Sequence, residues 1–160
     1  MDMVTKRSIV TMTFAALIVA AHGLRAADEF RLTVASPVAA GTPRVKFAMF
    51  VFRVDGCPEP AQAHVTATAE GIVNGARRSV RVALVPLDNP GVYAVKREWA
   101  AEGRWIVVLR ASYHDLHASA LVVVDDNGFL REPSRFFPRE PTAAEIESAL
   151  SASAQTGGKQ

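Results

Sequence analysis

From Phe30 to Gly128 apolar and polar residues alternate with a period of two, and no stretch of this region carries the 3.6-residue period of an amphipathic helix. Phe30, Leu32 and Val34 line one side of "FRLTVAS", which Pro37 and "GTP" (Gly41 to Pro43) terminate. "RVKFAMFVFRV" (Arg44 to Val54) sets Val45, Phe47, Met49 and Val51 against Ala48, Phe50 and Phe52. Apolar on both faces, it reads as a central strand or as one whose Phe50/Phe52 face meets a partner. "AHVTATAEG" (Ala63 to Gly71) and "RRSVRVALVPL" (Arg77 to Leu87) follow, the latter with Val80, Val82 and Leu84 on one face. Val92 to Trp99, Trp105 to Ala111 and Ala120 to Gly128 complete a set of about seven strands separated by turn signals at Asn89-Pro90-Gly91, Gly103 and Asn127-Gly128. Strands at this spacing without helices between them predict an all-β antiparallel sandwich, with Phe47, Val82, Val107 and Val122 in its core.

The ends of the chain break this pattern. Lys6 and Arg7 precede an uncharged run from Ser8 to Ala21, and small residues follow toward Ala26-Ala27. The order of charge, apolar run and small-residue exit is that of an export signal, and the run is shorter than the roughly 20 residues that cross a bilayer as a helix. Cleavage fits after Ala21 or Ala26; Ala26 is preferred because Asp28-Glu29 then opens a polar mature end, giving a signal over residues 1–26, a sandwich over 27–128 and a periplasmic or secreted protein. No transmembrane anchor is expected in the mature chain. "FLREPSRFFPREP" (Phe129 to Pro141) reads as an extended proline-rich tail laid along the domain. Thr142 and Glu145 then form a capping box before an Ile146/Leu150 stripe, so a short helix over 142–152 is expected, with a disordered end after it.

Loss of the signal changes the charge balance. Lys6, Arg7, Arg25 and Asp2 leave with it, which takes 18 basic and 16 acidic residues to 15 of each. A nucleic-acid partner is not expected of so balanced an exported chain. Cys57 is the single cysteine, so no internal disulfide can form, and either packing alone holds the core or the thiol pairs outside the chain.

"PGVYAVKREWAAEGRWIVVLRA" (Pro90 to Ala111), preceded by "AHVTATAEG", resembles the glycine-tyrosine then glycine-arginine-tryptophan signature of the YtkA-like and FixH-like immunoglobulin-fold domains of exported or membrane-tethered bacterial proteins. The resemblance spans roughly Phe30 to Asp125. It implies an immunoglobulin-like arrangement of the sandwich and a setting near metal-handling or respiratory assembly proteins. Some relatives place methionine and histidine in the middle loop as candidate copper ligands. The corresponding "EGIVNGARRSV" has neither.

Candidate chemistry is sparse. Ser112, His114, Asp115 and His117 supply the residue types of a hydrolytic triad, but a triad needs side chains converging from separate elements, and neighbours on one hairpin alternate outward. No nucleophile elbow or phosphate-binding glycine loop is present, and catalysis is not expected. His114 and His117 could offer imidazoles to copper or zinc, with Asp115 or His64 as a third ligand; no other cofactor is implied. Arg77 and Arg81 share a strand face that could meet a carboxylate partner, and Trp99 and Trp105 could floor a ligand site, although their first use is core volume. The expected function is non-catalytic binding or scaffolding by protein–protein contact, the partner being another envelope protein or a second copy of the chain. The candidate contact residues are Phe50, Phe52, Arg77, Arg81, Trp99 and Trp105. The alternative is periplasmic metal binding at the loop 112–117.

Overall fold

The structure, a computed structural model, describes residues 29–37 and 45–156; the export segment and the last four residues lie outside the described residues. Among the described residues nine strands form two antiparallel sheets. The first contains β1 (Arg31–Ala35), β2 (Ala48–Asp55), β5 (Leu84–Pro86) and β6 (Val92–Lys96), in the order β1-β2-β6-β5. The second contains β3 (His64–Val73), β4 (Ala76–Val82), β7 (Arg104–Tyr113), β8 (Leu116–Asp125) and β9 (Gly128–Phe137), in the order β4-β3-β7-β8-β9. One helix, α1 (Ala143–Thr156), follows.

Alternation decides which side chains meet between the sheets. Val34, Phe52 and Tyr93 stand in register across the first sheet, while Ala69 and Val107, then Val107 and Val122, are opposed in the second. Val82, Val107 and Val122 are buried in this core, as the pattern predicts. The small Ala67, Ala69, Ala111, Ala118 and Ala120 leave room for Phe50, Phe52, Trp99 and Trp105 from the same cluster.

The β2 faces are the reverse of the expected ones. Phe50, Phe52 and Val54 point into the core and Phe47, expected there, is 81 % exposed. Plain alternation already sets Phe47 opposite Phe50 and Phe52, and Phe47 lies in the turn ahead of the strand. Phe47 holds a left-handed backbone with φ of 66°, and the β2–β6 register shifts between Ala48 and Phe50.

The segment expected as an extended tail is largely a strand. β9 pairs with β8, but Leu121 faces Arg135 while Val123 faces Leu130, so Val122 alone spans the four residues Arg131 to Ser134. Ser134 repairs the gap: its hydroxyl accepts the Val123 N–H at 3.1 Å and donates to the Leu130 carbonyl. Pro133, with no N–H to place, sits in this bulge on an edge strand, a position that tolerates it.

Helix α1 covers the outer face of the second sheet. Ala149, Leu150 and Ile146 pack on Ile106, Val108, Leu121 and Val123, making a second apolar layer. Its start is the capping box expected from the sequence: Glu145 N–H donates to Thr142 Oγ1 at 3.2 Å and Thr142 N–H donates to Glu145 Oε2 at 2.8 Å. The helix runs to Thr156, beyond the expected end at 152.

Candidate functional site

The proposed aromatic contact face does not exist as a surface. Phe50, Phe52, Trp99 and Trp105 are all buried in the main core. Phe52 stacks on Tyr93 with centroids 5.3 Å apart, and Phe50 meets the edge of Phe129. Trp105 fills the end of the sandwich against Trp99 at 6.4 Å and donates its indole N–H to the Glu102 carbonyl at 2.9 Å. Close approach of its ring is possible because β3 carries Gly71 opposite it: a Cβ there would stand 2.4 Å from ring carbons of Trp105, too close to be tolerated.

The arginines remain at the surface on β4. Arg77 is held by Glu70 at 3.2 Å and by Glu147 of α1, so it ties the sheet edge to the helix. Arg78 and Arg81 are exposed and make no ion pair among the described residues. β4 is the outermost strand of its sheet, and its seven residues include no proline or glycine. The other edges differ: β5 has three residues and ends in Pro86, β9 holds Pro133, and β1 has five residues. Arg78 was not singled out in the sequence because its neighbours Arg77 and Arg81 share the opposite face; only the edge position of β4 gives it importance.

The histidines separate into two groups. His114 occupies the β7–β8 turn with φ of 51°, edge-on to the Tyr113 ring at 4.5 Å. His117 is the second residue of β8, opposite Ser112, and Ser112 in turn lies opposite His64 of β3. Directly opposed residues of antiparallel neighbours project to one side, so His64 and His117 flank Ser112 on the outer face. This row comes from strand order, not from the spacing of His114 and His117. Asp115 borders a shallow cleft of about 310 Å³ with Glu29, His117 and Glu140. Among the described residues no group of three or more histidine, cysteine, aspartate or glutamate side chains is placed to hold a metal ion.

Cys57 is half-buried against the main core, and that burial pushes its thiol above the ordinary cysteine range, which disfavours the reactive thiolate. At the opposite extreme, Glu145 is held down at about 2, first by the Arg139 guanidinium that it grips with both oxygens, then by the Thr142 N–H.

A second cleft, of about 320 Å³, opens beside the tryptophans where β6 leaves its sheet and the β8–β9 turn folds over. Arg97 spans it, with Nη2 donating to the Asp125 carbonyl at 3.1 Å and to Asp126 Oδ1 at 3.0 Å. The Asp125 carboxylate is occupied by its own turn, accepting the N–H groups of Asn127 and Gly128. No protein-family model, curated protein or solved structure matches the chain.

Proposed function

We propose that this chain is an exported, non-catalytic binding or scaffolding domain that works by protein–protein contact, with β4 as its contact strand. The partner is an extended acidic segment of another envelope protein, which adds to the sheet edge and places its carboxylates on Arg78 and Arg81. The observation that carries this reading is the combination in β4 of an open edge, a length of seven residues, and two exposed arginines that no described carboxylate neutralises. Unpaired N–H and C=O groups along an edge are a template for strand addition, and the like charges of β4 disfavour pairing with a second β4 while favouring an acidic strand.

The strand order supports an immunoglobulin-like classification. Numbered A to G in the usual way, β1-β2-β6-β5 follows the A-B-E-D sheet and β3-β7-β8 the C-F-G sheet, with β4 beside C and β9 added beyond G. This agrees with the YtkA-like and FixH-like resemblance of Pro90 to Ala111. Export is supported by the charged and apolar order of residues 1–26, and no described helix is long and apolar enough to cross a membrane.

The test is titration of the protein into a labelled extended peptide with glutamates on both strand faces, since Arg78 and Arg81 project to opposite sides of β4, followed by fluorescence anisotropy. Binding that weakens with salt and falls at least about tenfold in Arg78→Glu/Arg81→Glu supports the reading. Indifference to both substitutions overturns it. Concentration-dependent light scattering that persists in the variant would assign contact to self-association elsewhere on the surface.

Metal binding is the second reading, and the His64–Ser112–His117 row is what favours it. Two imidazoles across one intervening strand can approach a single Zn²⁺ or Cu²⁺, with open positions left to water.

A further inference from the structure

Two side-chain polar atoms in the described part of the molecule are buried without a hydrogen-bond partner: Nε of Arg97 and Nε1 of Trp99. Both are donors, and both residues line the cleft beside the β8–β9 turn. A buried donor left unpaired destabilises the fold, and proteins rarely leave one without reason. The contrast with Trp105 is direct: its indole N–H, in the same aromatic pair, reaches a carbonyl. Trp99 is 5 % exposed, so bulk water does not satisfy its N–H.

The remaining groups of the cleft define what could. Arg97 is held by Asp125 and Asp126 through Nη2, which leaves its Nε–H uncommitted. Asp125 is committed to its turn and Asp126 to Arg97, whereas Arg104, also in the lining, is exposed and forms no ion pair among the described residues. The two arginines and two aspartates of the lining balance in formal charge, so what is in excess is hydrogen-bond donors. The walls beyond them are apolar, formed by Trp105, Val124 and Leu130.

The geometry points to a ligand site for a small carboxylate, whose oxygens accept from Arg97 Nε and Trp99 Nε1 while a flat or short apolar body lies against Trp105 and Leu130. Charge-assisted acceptance by a carboxylate satisfies both donors at once. Both atoms are covered in this conformation, so entry requires the Arg97–Asp126 pair to part. Asp126, 82 % exposed at its side chain, is free to swing into water. It thus competes with the ligand for the guanidinium. The carboxylate could belong to a free organic acid or to the C-terminus of a peptide. This site is separate from β4 and does not depend on the contact proposed there.

The two tryptophans give two indole cross-peaks in a proton–nitrogen correlation spectrum, and Trp99→Phe assigns them. Benzoate, hexanoate, and a short peptide with a free or an amidated C-terminus serve as probes. The expected result is a saturable downfield movement of the Trp99 peak, with little change at Trp105, whose N–H is already bonded. Response to benzoate or hexanoate assigns the site to free acids, and response only to the free-ended peptide assigns it to chain termini; either supports the proposal. By calorimetry, Arg97→Met and Trp99→Phe should each weaken binding by about tenfold or more, and Asp126→Asn should tighten it. Trp99→Phe keeps a ring in place and removes the unpaired donor, so its melting temperature without ligand should equal or exceed that of the unsubstituted protein, a sign that affinity and not folding was lost. No saturable movement with any carboxylate, equal movement with chloride or sulfate, or full affinity in both Arg97→Met and Trp99→Phe would overturn the assignment.

Discussion

Gly71 and Trp105 face each other across the β3–β7 ladder, and the indole ring occupies the space where any other residue at 71 would carry its Cβ. Gly71→Ala must displace the ring, and with it the Trp105–Glu102 hydrogen bond and the Trp99 contact. A loss of about 2 to 3 kcal/mol is expected, within the range for overpacked cores. Urea denaturation followed by tryptophan fluorescence measures it. In a double-mutant cycle with Trp105→Leu the two losses should fail to add.

Val107 and Phe47 make a second, paired prediction. Val107 is fully buried in the main core, whereas Phe47 lies open to solvent ahead of β2. Val107→Asp should cost more than about 4 kcal/mol, since the new carboxylate has no buried partner, while Phe47→Ser should stay within about 0.5 kcal/mol. Thermal melts of the two variants, read by far-ultraviolet circular dichroism with a strand-dominated baseline, distinguish the burial assignments.

Acid should loosen α1 before the sandwich. Glu145 titrates near 2 in the folded protein, below its ordinary value of 4.5, so folding favours its ionised form. The stabilisation is complete above about pH 4.5 and is lost as pH falls toward 2, when the Arg139 grip and half of the capping box disappear. Protection of the amides of Ala143 to Leu150, taken relative to the intrinsic exchange rate at each pH, should fall across that window, and Glu145→Gln should flatten this dependence while leaving protection in β7 unchanged.

For the histidine row, Zn²⁺ titration by calorimetry should give binding at micromolar strength or weaker, because the described residues bring no third protein ligand. His64→Ala and His117→Ala should each abolish it. His114→Ala, on the turn beside Tyr113, should leave it intact; dependence on His114 in place of His64 would restore the loop spacing as the basis of binding.

These contrasts show which physical signals a sequence carries. Val82, Val107 and Val122 were legible as core because polar neighbours mark the other face, and the Thr142–Glu145 cap because it is wholly local. The β2 faces were not, since Phe47, Phe50 and Phe52 offer apolar side chains in both parities and the left-handed Phe47 is invisible to alternation. Proline density concealed β9, whose bulge and edge position accommodate Pro133. Of the candidate sites, the surface location of Arg81 could be read directly. The alignment of His64 with His117 depends on β3, β7 and β8 being neighbours, and the unpaired donors of Arg97 and Trp99 depend on how the β8–β9 turn closes over them.

The docking of α1 also sets an order of events during synthesis. Ile106, Val108, Leu121 and Val123 are translated well before Ile146, Ala149 and Leu150, the residues that cover them. A nascent chain that has reached Pro141 holds every strand of both sheets yet leaves this four-residue patch wet, and such a patch is what holdase chaperones and neighbouring nascent chains bind. Completion of the last helix is therefore the step that releases the protein from both, and truncations before Ala143 should be retained by holdases or aggregate even where the strands can pair.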